Sequence, residues 1–242
     1  MHNAVPTPRS ARRIAFFGGS FDPPHRGHLA IAHAAQRALA LDGVLFAPVG
    51  TQPLKPEGSS ASFAQRVAMT QLAIADDQDF AVSLVDAPSA SGRPNYTIDT
   101  LAQLHAELGP ETELFCLMGM DSFLNLPLWH RAAALPFAAT LVVAARPGES
   151  LDAAMSHLPD GLTAETPTLP ASTLHGIAVL QYTLRNTQGL RAPLYLLPSL
   201  YVEISATEIR SLLLGGGASE KRLKTLVPPA VADYLKEHGL YQ

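Results

Sequence analysis

Eleven residues near the start of the chain, Gly18-Gly19-Ser20-Phe21-Asp22-Pro23-Pro24-His25-Arg26-Gly27-His28, gather the groups needed to handle a phosphate. The two glycines let backbone approach a ligand closely, Ser20 offers a hydroxyl, and His25 and His28 offer donors whose charge changes near neutral pH. An apolar run, Ile14–Phe17, leads straight into them, so they occupy a strand-to-helix loop. A helix start presents unpaired N–H groups that favour an anion, and the carboxyl end of the first strand of an open α/β sheet is where a ligand crevice is expected. Asp22, His25 and His28 also match a two-histidine, one-carboxylate metal set, but that reading leaves the glycine pair unexplained. Neither the dinucleotide fingerprint nor the P-loop occurs here, and Ser20 does not sit in a hydrolase elbow.

Such a loop needs a sheet behind it. Short apolar runs near Ile14–Phe17, Val44–Val49, Phe80–Val85, Leu114–Met118, Thr140–Ala144 and Leu194–Leu197 alternate with helix-compatible segments at His28–Leu41, Phe63–Ala75, Thr97–Leu108 and Ala132–Leu135. That alternation predicts an α/β fold: an open, Rossmann-like parallel sheet with helices on both faces. Ile98, Leu101, Leu104 and Leu108 form one helical stripe. After Pro198 the pattern predicts a C-terminal helical segment of two or three consecutive helices. Residues 1–12 read as a flexible N-terminal tail and residues 13–242 as a single domain. Within it, 149–191 reads as an insertion or long loop region, in which only Ile177–Leu184 resembles a strand.

Composition narrows the partners. The chain has 242 residues, 47% hydrophobic, with 17 basic against 21 acidic side chains and a net charge of −4. Without a basic excess, nucleic acid is not an expected partner. No uninterrupted apolar run reaches the ~18 residues that a bilayer span needs, so no membrane role is expected. One cysteine, Cys116, excludes an internal disulfide and fits a reducing, cytoplasmic setting. Nothing in the sequence sets an oligomeric state.

The loop GGSFDPPHRGHL resembles the (H/T)xGH signature of nucleotidyltransferases, most closely in the form carried by bacterial nicotinate-nucleotide adenylyltransferases. Near the other end, ISATEIR at Ile204–Arg210 resembles that family's ISSTxIR element. There Ser205 and Thr207 would cap a helix, with Glu208 in its first turn and Arg210 beside a triphosphate. NYTIDTL at Asn95–Leu101 is similar to the segment that recognises the pyridine carboxylate, and GMDSFLNLPLWHR at Gly119–Arg131 to the stretch carrying a ribose-binding Asp and a ring-stacking Trp. Arg146–Gly148 looks like a further turn element.

The resemblance implies transfer of the adenylyl group of ATP to nicotinate mononucleotide, with Mg²⁺ held through the ATP phosphates and no protein metal site. It implies His25, His28, Lys55 and Arg210 as catalytic charge partners. For ATP it implies Gly18, Gly19, Ser20, Phe21, Gly119, Asp121, Ile204, Ser205 and Thr207, and for nicotinate mononucleotide Ser20, Lys55, Tyr96, Thr97 and Trp129. The chain departs from the pattern in three places: Ala206 replaces a serine, Leu54 stands where many members carry histidine, and the region Glu149–Arg191 is longer than the family's. A related transferase acting on phosphopantetheine or another acceptor, and a catalytically inactive nucleotide-binding module, are the alternatives.

Overall fold

The computed structural model describes residues 12–55, 57–145, 155–165, 172–198, 204–215 and 220–242. Six strands run parallel: β1 (Arg12–Gly19), β2 (Gly43–Pro48), β3 (Phe80–Val82), β4 (Thr112–Gly119), β5 (Thr140–Ala144) and β9 (Arg191–Leu197). Their order in the sheet is β3-β2-β1-β4-β5-β9. The chain therefore winds outward in one direction from β1 and in the other from β4, which leaves a crevice where the order reverses, beyond the carboxyl ends of those two strands. Both ends carry glycine, Gly18 and Gly19 on β1 and Gly119 on β4.

These strands are continuously apolar because both faces are covered. Ala15 and Phe17 of β1, Phe115 and Leu117 of β4 and Val142 of β5 pack on one side, with buried residues of α1 (Arg26–Leu39), α2 (Phe63–Ala73) and α8 (Pro229–Glu237). The alternate residues, Phe16, Leu114, Cys116, Met118, Leu141 and Val143, pack on the other with Ile98, Leu101 and Leu104 of α3 (Thr97–Leu108). Two short helices, α4 (Met120–Leu124) and α5 (Leu135–Ala138), lie on that second side, where Phe123 and Leu135 are fully buried. The expected helix at Ala132–Leu135 is a 3₁₀ turn, Ala132–Ala134, running into α5. Toward the end come α6 (Ala206–Leu214), α7 (Glu220–Leu226) and α8, the consecutive helices expected there. No helix among the described residues is long and apolar enough to cross a membrane.

The region 149–191 corrects the sequence reading. Its described residues carry β6 (Leu162–Glu165), β7 (Ser172–Leu174) and β8 (Ile177–Asn186). Strand β8 pairs antiparallel with β9, β6 and β7, so the sheet is mixed rather than wholly parallel. Tight turns make this possible. His175 and Gly176 both take positive φ, 49° and 82°, as a two-residue hairpin requires. The Asn186 carboxamide accepts from the N–H groups of Gln188 and Leu190 at the next turn. At the other end, Arg12 already belongs to β1, so the expected tail is one residue too long, and residues 1–11 lie outside the described residues. Leu184 on β8 is fully buried. Leu184→Ala is therefore expected to lower the unfolding free energy by about 2–5 kcal/mol in urea titrations, whereas truncation of an exposed loop leucine would leave it nearly unchanged.

Candidate active site

Helix α1 starts two residues earlier than its composition implied, because Pro23 and Pro24 end the loop and His25 takes the N-cap position. His28 is thereby the third residue of the helix. Its main-chain N–H donates to the His25 carbonyl at 2.9 Å, while its Nδ1 accepts from the His25 N–H at 3.2 Å. The two rings stack, with centroids 3.7 Å apart. An Nδ1 that accepts leaves the proton on Nε2, so His28 is a neutral imidazole with one donor to offer. Burial, reinforced by the neighbouring His25, holds its pKa well below 6.5. The ring is fixed edge-on against Phe21, whose own ring is buried with Phe17 and Phe46. Phe21 adopts φ of 48°, a left-handed conformation that a bulky residue keeps only when packing imposes it.

Three further groups fix the loop. The Arg66 guanidinium, 2% exposed, donates from Nη1 to the Ser20 carbonyl (2.7 Å), from Nη2 to the Val49 carbonyl (2.8 Å) and from Nε to the Ala61 carbonyl (3.3 Å). Desolvation pulls its pKa down, while the nearby Asp22 and Tyr241 oppose that shift. Arg210 donates from Nη1 to the Asp22 carbonyl at 2.8 Å and from Nη2 to the Thr207 hydroxyl at 3.2 Å. The Asp22 carboxylate accepts from the main-chain N–H groups of Ser60 and Ala61 and from the Tyr241 hydroxyl. With those oxygens committed, Asp22 does not join the histidines as a metal ligand. Among the described residues no group of three or more His, Cys, Asp or Glu side chains is placed to hold a metal ion.

The result is a cleft of about 590 Å³ at the reversal point of the sheet. Most of the residues singled out in the sequence line it: Gly18, Gly19, Ser20, Phe21, His25, His28, Lys55, Gly119, Asp121, Ile204, Ser205, Thr207 and Arg210. A Cβ added at Gly18 would lie 2.6 Å from the Phe16 ring, so that position has no room for a side chain. Ser20 accepts at its hydroxyl from Gln52 Nε2 (2.9 Å), which keeps the hydroxyl proton available for another acceptor. Ser205 is the N-cap of α6 and accepts from the Glu208 N–H at 3.1 Å, so the helix begins facing the cleft. Ala206, the residue without a hydroxyl, is the first of the helix and lines the cleft as well. Thr207 serves Arg210 rather than capping.

Tyr96, Thr97 and Trp129 are not brought into this cleft. Tyr96 caps α3 with its ring 4.4 Å from that of His130, and Trp129 borders a shallower depression with Pro127, Arg131 and Asp160. They lie next to it in the hydrogen-bond network, because Asn95 bonds Thr51 in both directions and Thr51 precedes Gln52, the partner of Ser20. Asp86, 4% exposed, supports the same edge: its carbonyl accepts from Gly50 N–H and its carboxylate from the Thr100 hydroxyl. Burial raises its pKa to about 6. Sequence reasoning missed Arg66 and Tyr241 entirely. Arg146, Pro147 and Gly148 lie outside the described residues.

The cytidylyltransferase-like family model matches residues 16–212. The chain is 35% identical over 229 residues to a probable nicotinate-nucleotide adenylyltransferase of Geobacter sp. (strain M21), covering 95% of this chain and 98% of that one. It is 39% identical to another so named from Aeromonas salmonicida, covering 95% and 97%. In fold it is similar to the Plasmodium falciparum nicotinic acid mononucleotide adenylyltransferase complexed with NaAD, with a TM-score of 0.67 at 17% identity over 95% of this chain and 97% of that one.

Two measurements check the geometry. Ring ¹⁵N shifts of His28 should report a neutral imidazole through pH 6, whereas titration near 6.5 would contradict the enclosed site. Its contribution to stability is complete above about pH 6.5 and is lost as the pH falls below that, since the unfolded chain binds the proton that the folded one refuses. Arg66→Met leaves three carbonyls without their donor and should cost on the order of 3 kcal/mol in equilibrium unfolding.

Proposed function

The chain belongs to the nicotinate-nucleotide adenylyltransferases of the cytidylyltransferase-like family, and on that premise we propose how its cleft performs adenylyl transfer. An oxygen of the nicotinate mononucleotide phosphate attacks the α-phosphorus of ATP; the new P–O bond forms as the bond to the bridging α–β oxygen breaks. The products are the deamido dinucleotide and pyrophosphate. The attacking oxygen is already anionic, so no general base is required. What the protein must supply is in-line positioning and donors aimed at the charge that grows on the bridging and β-phosphate oxygens.

The observation that carries this reading is the bond from Arg210 Nη1 to the Asp22 carbonyl, which holds the β1–α1 loop and helix α6, 188 residues apart, at one cleft. Across that junction the triphosphate would meet the start of α1 on one side and the start of α6 on the other, each with main-chain N–H groups pointing outward. His28 donates from Nε2 and stays neutral, so it stabilises developing charge without being depleted by deprotonation at working pH. Lys55 and Arg210 supply positive potential, and His25 at the start of α1 is a further partner for the phosphates. Gly18, Gly19, Ser20 and Phe21 follow the phosphates with backbone, and Asp121, which lines the cleft at the start of α4, takes the ribose hydroxyls in this reading. Tyr96, Thr97 and Trp129 form the acceptor side, which requires the neighbouring edge to close on the pyridine ring. Mg²⁺ carried by the ATP phosphates, rather than held by side chains of this cleft, would lower the charge that the attacking oxygen meets. Cys116, buried and with its thiol pushed up to about 12, is inert and suits a reducing cytoplasm.

His28→Ala should lower kcat/KM at least about 100-fold, with unchanged circular dichroism, when pyrophosphate release is followed with ATP, Mg²⁺ and nicotinate mononucleotide. Near-normal turnover would remove His28 from the mechanism. Release confined to phosphopantetheine as acceptor would overturn the substrate assignment.

A further inference from the structure

Asp22 is 4% exposed and lines the cleft, and its carboxylate is bonded within the chain itself. Its Oδ2 accepts from Ser60 N–H at 2.7 Å and its Oδ1 from Ala61 N–H at 3.0 Å, which ties the β1–α1 loop to the β2–α2 loop that carries Lys55. Those two donors approach from one direction. A third, the Tyr241 hydroxyl, reaches Oδ1 at 2.6 Å from the segment after α8, 219 residues away in the chain. A charge-assisted O–H···O⁻ bond of that length is among the stronger single hydrogen bonds available to a side chain.

Two features set Tyr241 apart from an ordinary surface aromatic. It holds φ of 62°, a conformation that a tyrosine does not keep without compensation, and its ring packs with Leu240 against the core that includes α1 and α2. Burial and the bond to Asp22 both push the phenol above its ordinary pKa, so the proton stays on the tyrosine and the donor persists at any working pH.

We propose that Tyr241 is a positioning residue for nucleotide binding, its hydroxyl orienting the Asp22 carboxylate that sets the distance between the β1–α1 loop and the Lys55 loop. The inference rests on the reading of this cleft as the ATP site. Without the hydroxyl, Asp22 retains its two main-chain donors but loses its tie to the C-terminal segment, and Ser59, Ser60 and Lys55 shift their register against Gly18–Ser20. The triphosphate spans that gap, so ATP affinity is the quantity that responds.

The test is Tyr241→Phe, which keeps the ring and removes one oxygen. The apparent KM for ATP, measured at a temperature where the variant is folded, should rise about tenfold, as expected for one hydrogen bond to a charged group. In an Asp22→Ala background, which removes the acceptor, the same substitution should change it less than twofold, because the tyrosine acts through that carboxylate. A merely structural role would lower Tm and leave KM within twofold of wild type, and that result overturns the proposal, as would effects that multiply in the double variant. If Asp22→Ala does not fold, the single variant decides alone. Wild-type protein that releases no pyrophosphate with any acceptor would defeat the ATP reading and this inference together; active wild-type protein with an indifferent Tyr241→Phe would defeat this inference alone.

Discussion

An anion-binding cleft made largely of backbone has to satisfy its own carbonyls before its N–H groups can be turned toward a ligand. In this chain the requirement falls on Ser20 and Asp22, whose loop lines the cleft proposed for the triphosphate. Each is taken by a guanidinium: Arg66 from beneath, Arg210 from α6. The two cations neutralise the wrong-facing dipoles, tie the loop to two different helices and add positive potential near the cleft. The buried carboxylate of Asp22 then offsets part of that charge and orders the neighbouring loop through Ser60 and Ala61. Polar groups buried this deeply are tolerable only when every partner is present, so the arrangement is rigid by necessity.

The departures from the family pattern fit this scheme. Ala206 removes a hydroxyl from the start of α6, but the helix is still capped by Ser205, and its main-chain donors do not depend on a side chain at position 206. Leu54, half exposed, replaces a histidine in a loop whose placement is fixed by its far end, at Ser60 and Ala61, and by Gln52 on Ser20. In both places the backbone framework persists while a side-chain contact is missing.

Much of this was legible beforehand because it is local. Apolar strands, the Gly-Gly loop and the capped ISATEIR helix announce themselves within a few residues. Helix α1 was misplaced by two residues because a histidine is not an expected N-cap; the preceding proline pair was the better boundary signal. In the β6–β8 region the apolar run Ile177–Leu184 marks β8, whereas β6 and β7 are too short to show a pattern, although the turn residues His175-Gly176 and Asn186–Gly189 mark the hairpins. Arg66 could not be recognised at all. On an amphipathic helix an arginine reads as a solvent-facing residue, and only the fold reveals that three carbonyls from two loops surround it. The same holds for Tyr241, whose partner lies at the opposite end of the sequence.

The walls of the cleft come from five stretches, around residues 17–31, 52–60, 118–122, 144–145 and 204–210. No shorter fragment contains more than part of it, and closing it requires some of the longest-range contacts in the chain, which are entropically the last to be favourable during folding. Occupancy of the pocket is consequently coupled to completion of the whole architecture: a nucleotide that bridges these walls reports on, and stabilises, the finished tertiary structure rather than any one element.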